Sequence, residues 1–197
     1  LSANKGRLKR SILLVGFDAE EKGLLGSKYF VEKPTLPLTQ IKTMINMDMI
    51  GRVKDSVVNI GGVGTSPVFR PLLDSLKFMH PLKLTLSDAG LGPSDHASFY
   101  TNEIPVLFFF SGFHDEYHTP EDTWKKINLG GEKDILNLVY DIVYNLSRLK
   151  DAPSFSATSP MKAQSSMATS FKVTMGIMPS YNSSKEGLEI DAISKAD

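Results

Sequence analysis

The sequence predicts an α/β fold built on a mostly parallel central sheet, and three features carry that prediction. Ile12–Phe17 holds five apolar residues in six, the pattern of a strand buried on both faces, and Pro105–Phe110 (PVLFFF) repeats it. Amphipathic segments with apolar residues three and four apart lie between such strands. The polar residues suited to chemistry stand just after the apolar runs, where open α/β sheets bind their ligands.

Taken in order, residues 1–10 read as a polar connector into the first strand, Ser11–Phe17. Leu24–Val31 follows as a helix, with Leu25, Tyr29 and Phe30 placed to face a core, and Pro34 and Pro37 break the chain after it. Ile41–Met49 (IKTMINMDM) is a second apolar strand, with Asp48 near its end and Gly51 as punctuation. Ser56–Ile60 is a short strand that runs into a Gly-Gly-Val-Gly loop. No Lys-Ser/Thr follows the glycines, so a phosphate cradle is disfavoured; Thr65-Ser66-Pro67 reads as a helix start instead.

Pro67–Phe78 is the next predicted helix, presenting Phe69, Leu72, Leu73 and Leu76 on one face. Leu82–Leu86 reads as a strand. Ser94-Asp95-His96 opens a short helix through Tyr100, with Ser94 as its cap. After the strand Pro105–Phe110 comes a polar loop, Ser111–Thr123, which holds His114, Tyr117, His118 and Asp122. Glu132–Leu149 is a long amphipathic helix. Residues 151–170 are rich in Ser, Ala, Thr and Pro and read as a linker, and two strand-like runs, Phe171–Ile177 and Leu188–Ile193, close the chain.

Composition narrows the function. At 197 residues with 41% hydrophobic content, the chain has room for one large domain and a sizeable core. Lysine plus arginine number 22 and aspartate plus glutamate 22, with no long basic run, so nucleic-acid binding through a basic surface is excluded. No 18-residue apolar stretch exists to span a membrane. Without cysteine there are no disulfides, no thiolate metal sites and no cysteine nucleophile.

Glu20 and Glu21 stand side by side after the first apolar run. Neighbouring side chains diverge, so one carboxylate can hold a metal while the other stays free beside it. An isolated acidic pair equally serves to complement a helix N-terminus. Asp48 and His118 also follow apolar strands. Alone, each has a plain reading too: Asp48 as a cap of the Gly51 turn, His118 as a satisfied loop histidine. Together, carboxylates and an imidazole suit zinc, with a carboxylate left over as a base.

At this point the residues resemble a known family. Phe17-Asp-Ala-Glu20-Glu21-Lys-Gly-Leu-Leu-Gly26-Ser27 resembles the FxxEExGLxGS segment of the M28 family of zinc aminopeptidases. Asn46-Met47-Asp48-Met49-Ile50-Gly51 is similar to its NxDMIG element. Ser94-Asp95-His96-Ala97-Ser98-Phe99 and Tyr117-His118-Thr119-Pro120-Glu121-Asp122-Thr123 look like its SDHxxF and YHTxxDT segments. The four elements occur in the family's order across residues 11–150, and their combination is far more specific than any one of them.

The resemblance implies a three-layer α/β/α sandwich of the zinc-exopeptidase type and a site built around two zinc ions. It implies Glu20 as general base and acid, Glu21 as a ligand to one zinc, Asp48 as a ligand to the other, and His118 as a ligand beside Glu21. Tyr117 would help polarise the substrate carbonyl, and Asp95 would orient the site through hydrogen bonds. The implied substrates are peptides with a free N-terminus, and the implied location is periplasmic or secreted.

The family pattern also includes an earlier histidine and a bridging aspartate, for which the residues before Glu20 supply no candidate. The expectation is therefore that residues 1–150 form the C-terminal portion of such a domain, carrying part of the two-zinc site. His80, His96 and His114 stand in the wrong order to substitute. His96 reads as part of its helix start, His80 as an exposed loop residue and His114 as a minor candidate for the site. Within residues 171–197, Lys172–Tyr181 and Gly187–Ile193 resemble the opening strands of a PDZ domain. Two other functions fit parts of the pattern: a non-catalytic, protein-binding member of the same fold, and glutaminyl cyclase, whose relatives tend to carry Trp where this chain has Tyr117.

Overall fold

The computed structural model describes residues 6–158, 177–179 and 190–193. Four strands, β1 (Met44–Asp48), β2 (Val57–Gly61), β3 (Lys83–Leu86) and β4 (Val106–Phe110), form one sheet in the order β1-β4-β2-β3. β1 pairs with β4 in parallel, as β2 does with β3, while β2 and β4 run antiparallel. The sheet is mostly parallel, as predicted. In the β1–β4 register Asp48 lies opposite Phe110, so the chain leaves both strands at the same rim.

Helices cover both faces. β4 alternates, and that alternation divides the core. Leu107 and Phe109 point into the larger cluster, with Val58 and Ile60 of β2, Phe69, Leu73 and Leu76 of α2 (Phe69–Leu76), and Ile135, Leu138 and Ile142 of α4 (Leu129–Arg148). Val106 points the other way, against Phe99 of α3 (His96–Tyr100), with Phe17, Met44 and Phe30 of α1 (Leu25–Glu32) packed alongside. This is the three-layer arrangement expected. Asn128 caps α4 by accepting from the Gly131 amide at 3.0 Å, so that helix begins three residues before the predicted Glu132.

The expected first strand departs most from prediction. Residues 11–17 belong to no ladder, and Leu13 and Leu14 are 56% and 81% exposed. A strand exists only through the hydrogen bonds of a neighbour, and among the described residues none pairs with this segment. α1 is rotated relative to expectation. Leu25 and Tyr29 face solvent, while Leu24 and Ser27 are buried and Phe30 meets Phe17 and Phe99 at ring centroids of 5.8 Å each. The helix leans on the small polar face of Ser27, whose hydroxyl lies 2.9 Å from that of Ser98, which the apolar pattern does not reveal.

The glycine loop after β2 is packed rather than open. Gly62 has φ +77°, and a Cβ there would stand 2.2 Å from the Val106 carbonyl oxygen. Thr65 does not cap a helix with its side chain; its hydroxyl accepts from the Val106 amide at 2.9 Å. His80, expected in the open, has an 8% exposed side chain with Nε2 3.0 Å from Asp141 Oδ2.

The first part of the Ser/Pro-rich stretch is tied to the domain. Ser156 donates its amide to the Thr65 carbonyl at 2.8 Å, and the Thr158 amide donates to the Tyr100 hydroxyl at 2.9 Å. Residues 159–176 and 180–189 lie outside the described residues, and so does most of the PDZ-like stretch. Within it, β5 (Ile177–Pro179) pairs antiparallel with β6 (Ile190–Ile193). No helix among the described residues is long and apolar enough to cross a membrane.

Candidate active site

Three chain segments meet where β1 and β4 end. Glu20 and Glu21 begin a single 3-10 turn, Glu20–Lys22, held by Ala19 at φ +54° and closed by Gly23 at φ +92°. Asp48 ends β1, and Tyr117 and His118 lie in the loop that follows β4. His118 Nε2 stands 3.0 Å from Glu21 Oε1, joining the first segment to the third. Tyr117 stacks on the His118 ring at 3.8 Å between centroids and meets Phe113 edge-on at 5.0 Å.

Behind these lies a buried polar relay. Asn46 Nδ2 donates to Ser94 Oγ at 2.8 Å, which leaves the Ser94 proton to be donated to Asp48 Oδ2 at 3.0 Å. Asn46 and Asp48 share a face of β1 because they are two residues apart. The Ser94 side chain is thus turned toward β1 rather than toward its own helix, and α3 has no side-chain cap. Asp95, 8% exposed, keeps its Oδ1 buried without a hydrogen-bond partner.

The acids sense one another. Burial, then the charges of Asp48, Glu21 and Asp95, push the Glu20 carboxyl up to about 7, with the Ser94 hydroxyl opposing. Burial raises Asp48 as well, against its bond from Ser94 and with the Glu21 charge adding to the rise. Burial raises Asp95, with the Ser27 hydroxyl opposing and Asp48 adding. Tyr117 is raised above its usual value by burial and by Glu21, Asp48 and Glu20, so at neutral pH its phenol keeps its proton and is a donor.

Two carboxylates and an imidazole form a donor set that fits a zinc-type cation, and the repulsion among the acids is what a cation would relieve. Among the described residues no group of three His, Cys, Asp or Glu side chains is close enough to enclose an ion.

The sequence profile of peptidase family M28 matches residues 1–143. The chain belongs to peptidase family M28. Among solved structures, this M28 chain is similar to BSAP, a zinc aminopeptidase from Bacillus subtilis, at 26% identity and a TM-score of 0.57, over 71% of this chain and 37% of that one. It shares its fold with the LapA aminopeptidase of Legionella pneumophila, at 23% identity and TM-score 0.56, over 68% of this chain and 38% of LapA. A leucine aminopeptidase precursor from Bacteroides thetaiotaomicron matches at 20% identity and TM-score 0.52, over 68% of this chain and 48% of that one. The M28 chain thus spans less than half the length of these structures.

Apart from Asp95 and His114, sequence reasoning missed the supporting residues. Asn46 is a motif position whose role became visible only with its partner, Ser94, 48 residues away. Arg52 carries no motif signal, yet its guanidinium reaches Glu116 and Asp122 on either side of Tyr117-His118. His114 stands behind the site, with Nδ1 3.3 Å from Glu116 and its ring 6.3 Å from that of Tyr117.

Proposed function

We propose that the protein is a metal-dependent aminopeptidase that hydrolyses the first peptide bond of peptides with a free N-terminus. The observation that carries this reading is the meeting of His118 and Glu21 at 3.0 Å, beside a Glu20 whose carboxyl is raised to about 7. Family membership and the likeness to BSAP support it.

In this reading Glu21, Asp48 and His118 hold metal, and two zinc ions are the expected complement. Bound zinc supplies a water acidified to near neutrality and a Lewis acid for the scissile carbonyl. Glu20, partly buried beside Glu21 and Asp48, takes a proton from the attacking water and returns it to the leaving amine. The Tyr117 phenol, protonated at neutral pH, donates to the oxygen on which negative charge develops. The Asn46–Ser94 relay holds Asp48 in place, support of the kind that tunes metal ligands, and Asp95, bonded by the Ser27 hydroxyl beside it, is read as orienting the site. The same reading carries the expectation of a periplasmic or secreted enzyme.

The test is Glu20→Gln in the full-length protein, which keeps the shape and removes the base. Zinc content should stay at the wild-type level while turnover of N-terminal aminoacyl p-nitroanilides falls at least ~100-fold, the low end of what a general acid–base contributes. Near-normal kcat would remove Glu20 from the mechanism.

A further inference from the structure

We propose that Arg52 is a positioning residue, which clamps the Tyr117–His118 loop onto the end of β1 and thereby sets His118 against Glu21. Residues 111–123 contain no helix or strand, so nothing regular fixes their path. Besides the His118–Glu21 contact itself, three fastenings tie this stretch to residues 49–52, the turn that follows Asp48. Ser111 donates its hydroxyl to the Met49 carbonyl where the loop begins. The Asn128 amide donates to the Gly51 carbonyl at 2.8 Å beyond the loop, just past the 3-10 turn Trp124–Lys126 that follows it. Between them, Arg52 Nη2 lies 2.5 Å from Glu116 Oε2 and Nη1 lies 2.6 Å from Asp122 Oδ1.

The middle fastening is the one that governs the site. Glu116 and Asp122 bracket Tyr117 and His118 in sequence, so one planar guanidinium fixes both ends of the short arc that carries them. The arc needs fixing, because His118 has φ +58°, a backbone that L side chains keep only when their surroundings impose it. The Arg52 side chain is 15% exposed and those of Glu116 and Asp122 are 27% and 37%, so the pairs are partly sheltered from water. Lys126 Nζ adds a second cation 2.6 Å from Glu116 Oε1, and His114 fills the space between the two acids. Two cations against two carboxylates leave the clamp near neutrality beside an acidic site. Without Arg52, Glu116 and Asp122 would lose the cation that joins them, and the arc would swing away from Glu21.

The inference rests on the reading of His118 as a metal ligand for one of its two readouts, and the other does not need it. In the full-length protein, Arg52→Met should weaken zinc affinity, measured by competition with a chelator, by about 10- to 100-fold, as loss of supporting groups around metal ligands does. It should also speed hydrogen exchange at the amides of Glu116–Thr119 in the metal-free protein at least ~10-fold. Arg52→Lys should recover only part of either effect, because one ammonium does not present a fork to both acids. Should Arg52→Met not fold, Glu116→Gln, Asp122→Asn and their double variant take its place. Each single change should raise loop exchange, and the double should add less than the sum, since both act on one guanidinium. Unchanged exchange and unchanged affinity in Arg52→Met, or additive effects in the acid variants, would overturn the clamp. If the wild-type protein binds no zinc, the functional reading fails while loop exchange still decides the clamp.

Discussion

Glu21 and His118, 97 residues apart in the chain, meet at 3.0 Å between Oε1 and Nε2, with side chains 63% and 56% exposed. A polar contact so open to water contributes at most about 1 kcal/mol, so stability does not explain it. Glu21→Gln and His118→Ala should therefore shift the metal-free unfolding free energy by no more than about 0.5 kcal/mol, the range of ordinary surface changes. Urea denaturation in the presence of chelator checks this, and a loss of several kcal/mol would make the pair structural.

The Asn46–Ser94–Asp48 relay behaves in the opposite way, because it is buried. Ser94 is 2% exposed and serves both neighbours through one hydroxyl. Ser94→Ala strands the Asn46 amide and removes a donor to Asp48. The expected cost is about 1–3 kcal/mol, that of a buried polar group left unpaired. The same change should push the Asp48 carboxyl further up, since its bond from Ser94 lowers it. Urea midpoints give the first effect, and carboxyl chemical shifts followed with pH give the second.

Arg10 closes the far end of α4. Its Nη1 donates to the carbonyls of Leu146, Ser147 and Leu149 at 3.3, 3.2 and 2.7 Å, and its Nη2 to that of Lys150 at 3.3 Å. These carbonyls lie in the last turn of α4 and just past it, where intrahelical donors run out, and the cation also complements the helix dipole. Arg10→Met should cost about 1–2 kcal/mol, seen as a lower urea midpoint with unchanged slope. No change would mean that the carbonyls are served equally well by water.

His96 provides a pH test away from the acids of the site. It is 2% exposed, stacked on Phe108 at 4.3 Å, and burial lowers its pKa from 6.5 to about 3. Between those values the unfolded chain binds a proton that the folded chain does not. His96 therefore destabilises the fold increasingly as pH falls from 6.5 toward 3, by about 1.4 kcal/mol per pH unit at full slope. Above 6.5 both states are neutral and the effect vanishes. The raised acids titrate with the opposite sign, so the comparison to make is wild type against His96→Leu across pH 4–7. The variant should lose less stability on acidification, and parallel curves would place the imidazole in contact with water.

What the sequence made legible was whatever repeats along a single segment. The run at Val106–Phe110, the α2 face of Phe69, Leu73 and Leu76, and the helix opening at His96 all follow from local periodicity or punctuation. So did the acids and histidine after the apolar runs. Relations between segments stayed out of sight. The apolar stretch Ile12–Phe17 has the composition of a strand, but a ladder needs a neighbour, and composition does not name one. Ser94 has the identity of a cap, and only its distance to Asp48 shows a different use. Arg52 reads as an ordinary surface cation until Glu116 and Asp122 are seen against it.

The most direct test is the zinc content of the full-length protein after exhaustive dialysis, measured for wild type, Glu21→Ala and His118→Ala by elemental analysis. The account predicts bound zinc in the wild type and clear loss of it in each variant, with the fold intact by circular dichroism. Folded variants that keep the full wild-type complement would show that Glu21 and His118 do not hold the metal, and the site described here would be a different one.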